Sequence, residues 1–418
     1  MLPNGAYAES DLVVPNLPPD WPQLREAARA LASGRPEECE LSTVGSSRSG
    51  EPLELLTVRG GPTAVLVMAG VHPNEPVGGA TVLALARYLL ARLEAREQST
   101  WHLLLSADPD GGRLNELWAS RWPVTLQEYH QSLYRPPVHA QPECTFPVEG
   151  FDGQLPETLA IMSVVDELKP ALSVGLHNAD TGGCFLLASR PDPALVEVLA
   201  AAASRHGLPL DELPSDCVGL PSPGPGVFVM PEPPAVADRI PPVDGEWQPA
   251  GGSSLHYVAR HGGLGVSPEV PMWRTAPLTL SAEETVAYLE TAARGLAEVL
   301  ERLPARRSVF LPAVQEQVAI MRLMARITRE NPTGGADQDL TLLVPLRGAG
   351  MLLRHVTALL EEEPRHPALL RERQVVERRF AVWSDTAQTA LRPVPIPLAQ
   401  TVGYQVDVTL GAARMLLA

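Results

Sequence analysis

Two histidines and a glutamate stand where they could share one metal ion. His72 and Glu75 lie three residues apart in Ala-Gly-Val-His-Pro-Asn-Glu-Pro, and His177 closes the apolar run Ala-Leu-Ser-Val-Gly-Leu-His. Imidazole nitrogens and carboxylate oxygens suit zinc, and a catalytic zinc keeps a fourth position for water. Each piece alone has an ordinary reading: a capped helix start beside a surface histidine, or a hydrogen-bonded histidine at a strand end. The pairing of the two favours the metal. Glu269 follows a third extended run and is flanked by Val270, Pro271 and Met272. A carboxyl so placed is poorly solvated, and the raised pKa that follows suits a general base. The competing reading is a salt-bridged structural glutamate.

The elements that must position these residues can be read from pattern. Thr63 to Val71 is a continuous apolar run rich in β-branched residues, which predicts a buried strand. A long amphipathic helix is expected from about Pro76 to Arg96, with proline at a favoured first position. His102–Ala107 and Ala171–Leu176 read as further buried strands, Pro156–Leu168 as a helix, and Gly263–Ser267 as a short extended run. Strands alternating with helices imply an α/β sheet covered on both faces, and sites in such sheets form beyond the carboxyl ends of the strands. The Pro- and Gly-dense stretch 207–252 reads as ordered loops rimming a site. Ser281 with Glu284 is a capping-box signature. Helices are then expected at about 282–303, 311–330, 350–363, 367–383 and 397–417. The break at 303–308 suggests a catalytic domain over 1–305 and an all-α extension over 306–418.

Composition bounds the function. The chain has 418 residues, enough for about two domains at ~100–200 residues each. Its formal net charge of -16 disfavours nucleic acid and anionic membranes, which repel an acidic surface. No apolar run reaches the roughly 18–20 residues of a membrane span, and the first residues lack the basic and apolar regions of a signal peptide. Cys39, Cys144, Cys184 and Cys217 are widely spaced, which reads as isolated thiols in a reducing compartment. A cytoplasmic location is expected.

Taken in order, these landmarks resemble the zinc carboxypeptidases of the carboxypeptidase A type, over roughly residues 40–300. The His-x-x-Glu pair is His72 and Glu75, and the family's Asn-Pro-Asp-Gly turn is Asp108-Pro109-Asp110-Gly111, followed by Arg113 and Asn115. Leu133-Tyr134-Arg135 matches the Leu-Asn-Arg stretch, and Pro156-Glu157-Thr158 the Pro-Glu-Thr before the next helix. His177 matches the lone zinc histidine, Gly251-Gly252-Ser253 the Gly-Gly-Ser run, and Glu269 the catalytic glutamate. The resemblance implies a mixed, mostly parallel sheet flanked by helices. It implies one zinc per chain on His72, Glu75 and His177, with Glu269 as general base and acid. It gives Arg113 the oxyanion and Arg135 the substrate carboxylate. The sequence departs from the family at Asp108, at Tyr134 in place of the asparagine before the carboxylate-binding arginine, and at Trp247 in the place of the mobile tyrosine. Tyr134 and Trp247 are therefore the expected sites of altered substrate recognition.

The expected activity is hydrolysis of a peptide or peptide-like amide, as by a metallocarboxypeptidase. The alternatives are a zinc-dependent deacylase of N-acyl amino acids and a non-catalytic binding module on the same scaffold. The expected partner is a peptide or an acylated small molecule. The C-terminal helices carry no chemical signature. They could narrow access to the cleft, and an exposed apolar face on them would favour a homo-oligomer.

Overall fold

The computed structural model describes residues 12–214, 217–238, 249–332 and 338–417. Its sheet is built from β1 (Cys39–Ser46), β2 (Pro52–Val58), β3 (Thr63–Met68), β4 (Ser99–Leu104), β5 (Leu172–Gly175), β6 (His177–Ala179), β7 (Phe185–Ala188), β8 (Val227–Val229) and β9 (Leu264–Pro271). The order across the sheet is β1-β2-β4-β3-β5-β9-β7-β8, with β6 continuing the line of β5 and pairing with β9. The pairs β3/β4, β3/β5, β5/β9, β6/β9 and β7/β8 are parallel, and β1/β2, β2/β4 and β7/β9 are antiparallel. The architecture is a mixed, mostly parallel sheet flanked by helices.

β3 shows why its sequence is apolar throughout. Side chains alternate across a strand. Val65 and Val67 join the larger buried cluster on one face, and Leu66 and Met68 the smaller one on the other. A strand covered on both sides has no solvent-facing residues to be polar.

The helices are α1 (Trp21–Gly34), α2 (Val77–Ala91), α3 (Pro109–Arg113), α4 (Glu116–Ala119), α5 (Leu126–Ser132), α6 (Pro156–Leu168), α7 (Ala194–Arg205), α8 (Ser254–Ala259), α9 (Ala282–Arg302), α10 (Phe310–Glu330), α11 (Gln338–Glu362), α12 (Pro367–Leu391) and α13 (Leu398–Leu417). On one face α13 packs against α2 and α7; on the other lie α6 and α8. α9 to α12 pack on one another, and α11 also packs against α5. The last helix therefore returns to the sheet after the chain has left it. No helix among the described residues is long and apolar enough to cross a membrane.

Ser281 caps α9 as its sequence indicates, accepting from the Glu284 N–H while the Glu284 side chain returns to the Ser281 N–H. α11 differs from expectation. It starts at Gln338, not near 350, and runs through Pro345. Proline removes a helical hydrogen bond and ordinarily ends the pattern. Here Thr341 to Leu346 are buried, and packing overrides the local preference. α12 likewise continues to Leu391, where Arg392 takes a left-handed conformation and ends it.

Candidate metal centre and its cleft

β3, β5 and β9 are neighbours and run parallel, so their carboxyl ends open on one edge of the sheet. His72 follows β3 through a turn at Gly70, whose φ is +58° and where a Cβ would meet Ser106 Oγ at 2.5 Å. A side chain at 70 would be strained at that φ and would have to push Ser106 aside. The Glu75 N–H donates to the His72 carbonyl at 3.2 Å and closes the turn. Glu75 stands at the amino end of α2, where the helix dipole favours a carboxylate. His177 opens β6, directly in register with Glu269 on β9.

The ligand atoms of His72, Glu75 and His177 all lie within 4.8 Å of one another. The two imidazole rings are 4.9 Å apart, edge to face. His177 Nδ1 is 3.3 Å from Glu75 Oε2 and 3.5 Å from Glu269 Oε1. His72 Nδ1 is buried with no hydrogen-bond partner. Buried polar atoms are rarely left orphaned. Two imidazoles and a carboxylate converging around one such atom form a donor set that fits zinc with a position to spare.

Burial and the neighbouring carboxylates shift the two imidazoles in opposite directions. Burial, with Arg135 next in effect, drives the His72 imidazole well below its ordinary value. Burial pulls the His177 imidazole down too, but Glu269 and Glu75 against it prevail and hold it up at about 9. For Glu75 burial opposes ionisation, yet His72, His177 and Arg135 outweigh it and hold the carboxyl well below its usual range.

Hydrogen bonds orient the ligands, as supporting contacts do in metal sites generally. The Asn178 N–H donates to Glu75 Oε2 at 3.1 Å. Arg135 Nη1 donates to Glu75 Oε1 at 3.1 Å and to Asn74 Oδ1 at 3.2 Å. Gln405 of α13 donates to the His177 carbonyl at 2.8 Å and accepts from Thr81 at 2.6 Å.

The centre opens into a cleft of ≈ 550 Å³ lined by His72, Glu75, Arg135, His177 and Glu269 together. Described parts of the Pro- and Gly-dense stretch also line it, with Met230, Pro231 and Pro233. Arg113 is not brought into this cleft. It ends α3 with its side chain 49% exposed, paired to Glu51 at 3.0 Å. Tyr134 turns into the core and meets the Phe310 ring edge-on at 5.5 Å. Trp247 lies outside the described residues.

Arg347 and Glu143 are among the cleft residues that escaped the sequence reading. Arg347 of α11 donates to Asp180 Oδ2 at 2.8 Å, and Asp180 also accepts from the Tyr129 hydroxyl at 3.0 Å. A single arginine in the apolar run Leu-Val-Pro-Leu-Arg-Gly-Ala-Gly-Met was the available signal, since a charge in such surroundings must be paired. Glu143 accepts from the Ser254 N–H and hydroxyl on one oxygen, and its other oxygen has no hydrogen-bond partner. Burial raises its carboxyl. No spacing or composition marked Glu143.

Residues 24–185 match the zinc carboxypeptidase family model. The span contains His72, Glu75, Arg135 and His177; Glu269 and helices α9 to α13 lie beyond it. Solved structures similar to this chain include a metallo-carboxypeptidase from Burkholderia cenocepacia, at 16% identity over 61% of this chain and 60% of that one, with a TM-score of 0.39. Another is bovine thrombin-activatable fibrinolysis inhibitor in complex with tick carboxypeptidase inhibitor, at 10% identity over 75% of this chain and 99% of that one, with a TM-score of 0.39. No curated protein matches the chain.

Proposed function

We propose that this protein is a zinc-dependent hydrolase of a peptide or peptide-like amide bond, acting as a metallocarboxypeptidase. The observation that supports it most is the convergence of His72, Glu75 and His177 around an orphaned buried nitrogen, with Glu269 in register beside them. Zinc bound there supplies Lewis acidity, acidifying a water and polarising the scissile carbonyl.

The chain's own residues do the rest. Glu269, 9% exposed and facing the cleft, takes a proton from the water as its oxygen bonds to the carbonyl carbon. It returns that proton to the nitrogen as the carbon–nitrogen bond breaks, so no oxidant or reductant is needed. Arg135 is the fixed cation beside Glu75, and that placement suits charge developing on the carbonyl oxygen. This is the task expected of Arg113, which stands outside the cleft. Arg347 is then the cleft guanidinium on hand for a free carboxylate on the leaving side.

The test is mass spectrometry of a mixed pool of peptides and N-acyl amino acids incubated with zinc-loaded protein, a chelator control and the Glu269→Gln variant. Chelator-sensitive loss of single C-terminal residues, reduced by several orders of magnitude in Glu269→Gln, is the expected result. Loss of acyl groups with peptides untouched would replace the peptidase by a deacylase. Full activity of Glu269→Gln would remove Glu269 as the base.

A further inference from the structure

The cleft does not end at the metal centre. A second cavity of ≈ 840 Å³ continues from it between α10 and the segment around Pro137 and Val138. His72, Arg135, Val138, Cys144, Glu316 and Ile320 line both spaces; Glu75, His177 and Glu269 line only the first, and Pro137, Leu311, Pro312 and Leu323 only the second. The centre therefore stands at the junction of two arms.

The far wall of the second arm is one face of α10. Ala313, Val314, Val318 and Met321 are buried among the neighbouring helices. Glu316, Ile320 and Leu323 recur at helical spacing on a different side, are only half-buried, and line the groove. Leu311 and Pro312 extend the apolar surface at the start of the helix, and Pro137 and Val138 face them. Glu316 accepts from the Val138 N–H at 2.7 Å and ties the two walls together. His139, Gln141, Arg307, Ser308 and Gln315 also line the cavity, so an apolar strip on α10 faces a concave space that carries polar groups as well, a combination that can hold and orient a small molecule.

Chemistry decides which part of a substrate goes there. This step rests on the hydrolase reading above. The proton carried by Glu269 goes to the leaving nitrogen, so the leaving group occupies the first arm. The acyl portion must then run past His72 and Arg135 into the second. We propose that the groove between α10 and residues 137–138 binds an apolar group on the acyl side of the scissile bond, whether an aliphatic acyl chain or an apolar side chain. The helix that forms it lies beyond the span matched by the family model.

The experiment uses zinc-loaded full-length Glu269→Gln protein, which holds ligands without turning them over. Calorimetric titration with N-acylglycines of two to eight acyl carbons should show affinity rising roughly fourfold per methylene until the groove is full. Leu323→Asp in the same protein should flatten the series while leaving N-acetylglycine affinity unchanged. Leu323→Gln, a milder change at a half-exposed position, serves if the aspartate variant does not fold. A second arm compares acetyl-Gly-Gly with acetyl-Leu-Gly. A gain from leucine assigns the groove to an apolar side chain, and a gain confined to the acyl series assigns it to an aliphatic chain. A flat response in both arms, or a rise that survives both substitutions at Leu323, overturns the proposal. Hydrolysis by the unsubstituted enzyme with a flat series would remove the groove alone. A rising series without hydrolysis would keep the groove as an apolar-ligand site and remove the hydrolase reading.

Discussion

Asp108 is a buried carboxyl whose burial couples folding to pH. It caps α3, accepting from the Gly111 N–H at 3.0 Å, and lies 3.6 Å from Arg48 Nη2. Burial lifts its carboxyl to about 6, against the opposing pull of the Gly111 N–H and Arg48. In the unfolded chain it titrates near ~3.9. Between those values the folded protein binds the extra proton, so this residue's contribution to stability falls as pH rises through about 4 to 6 and is level above. Asp108→Asn keeps the acceptor for Gly111 without the charge. Between pH 4 and 7, urea unfolding should show the parent losing about 2–3 kcal/mol more stability than the variant; parallel profiles would contradict the assignment. That His72, Glu75 and His177 could meet was legible in the sequence because few residue types suit zinc and strand ends bring such residues together, and the three do converge. Arg113 and Tyr134 were misplaced because a spacing says which residues are near a site, not which way each side chain turns. Tyr134 faces the core while its neighbour Arg135 faces the cleft.

At the scale of elements, Asn115 holds three segments in register. Its amide nitrogen shares two hydrogens among the carbonyls of Pro73 at 3.0 Å, Gly111 at 3.1 Å and Tyr134 at 2.8 Å. Its oxygen accepts from Trp118 Nε1 at 2.9 Å and the Tyr134 N–H at 2.8 Å. One buried side chain thus fastens the His72–Glu75 turn, α3 and the strand-like segment leading to Arg135. Asn115→Ala strands several of these partners, and each unsatisfied buried group costs about 1–3 kcal/mol. Urea unfolding should show a loss of about 2–4 kcal/mol, and chelator competition a zinc affinity ~10–100-fold weaker. A variant with unchanged zinc affinity would confine Asn115 to stability. Most elements that carry the site were legible, since a buried central strand leaves a continuous apolar run and a capping box leaves a fixed signature. α11 was not, because the burial that carries it through Pro345 comes from distant parts of the chain.

For the molecule as a whole, the helical C-terminal segment takes part in the site. α10 walls the cleft, α11 brings Arg347 to Asp180, and α13 covers α2 and α7 while Gln405 fastens His177. Val402, Val406 and Leu410 of α13 are buried in the same cluster as the sheet. An apolar stripe in the sequence announces that a helix has a buried face but not what covers it, so this return to the sheet was beyond sequence reading. A chain ending at residue 305 should therefore lose fixed tertiary packing. Near-ultraviolet circular dichroism and dye binding would detect exposed apolar surface, and a truncated chain with native dichroism would contradict this placement.

On the proposed reading, His72, Glu75 and His177 hold one zinc on which turnover depends. Elemental analysis of zinc, made on the same preparations used for the hydrolysis assay, tests it most directly in the parent protein and in His177→Ala. The parent should hold one zinc per chain, and the variant should lose both zinc and turnover. A parent that retains no zinc after loading, or a variant that retains as much as the parent, would contradict it.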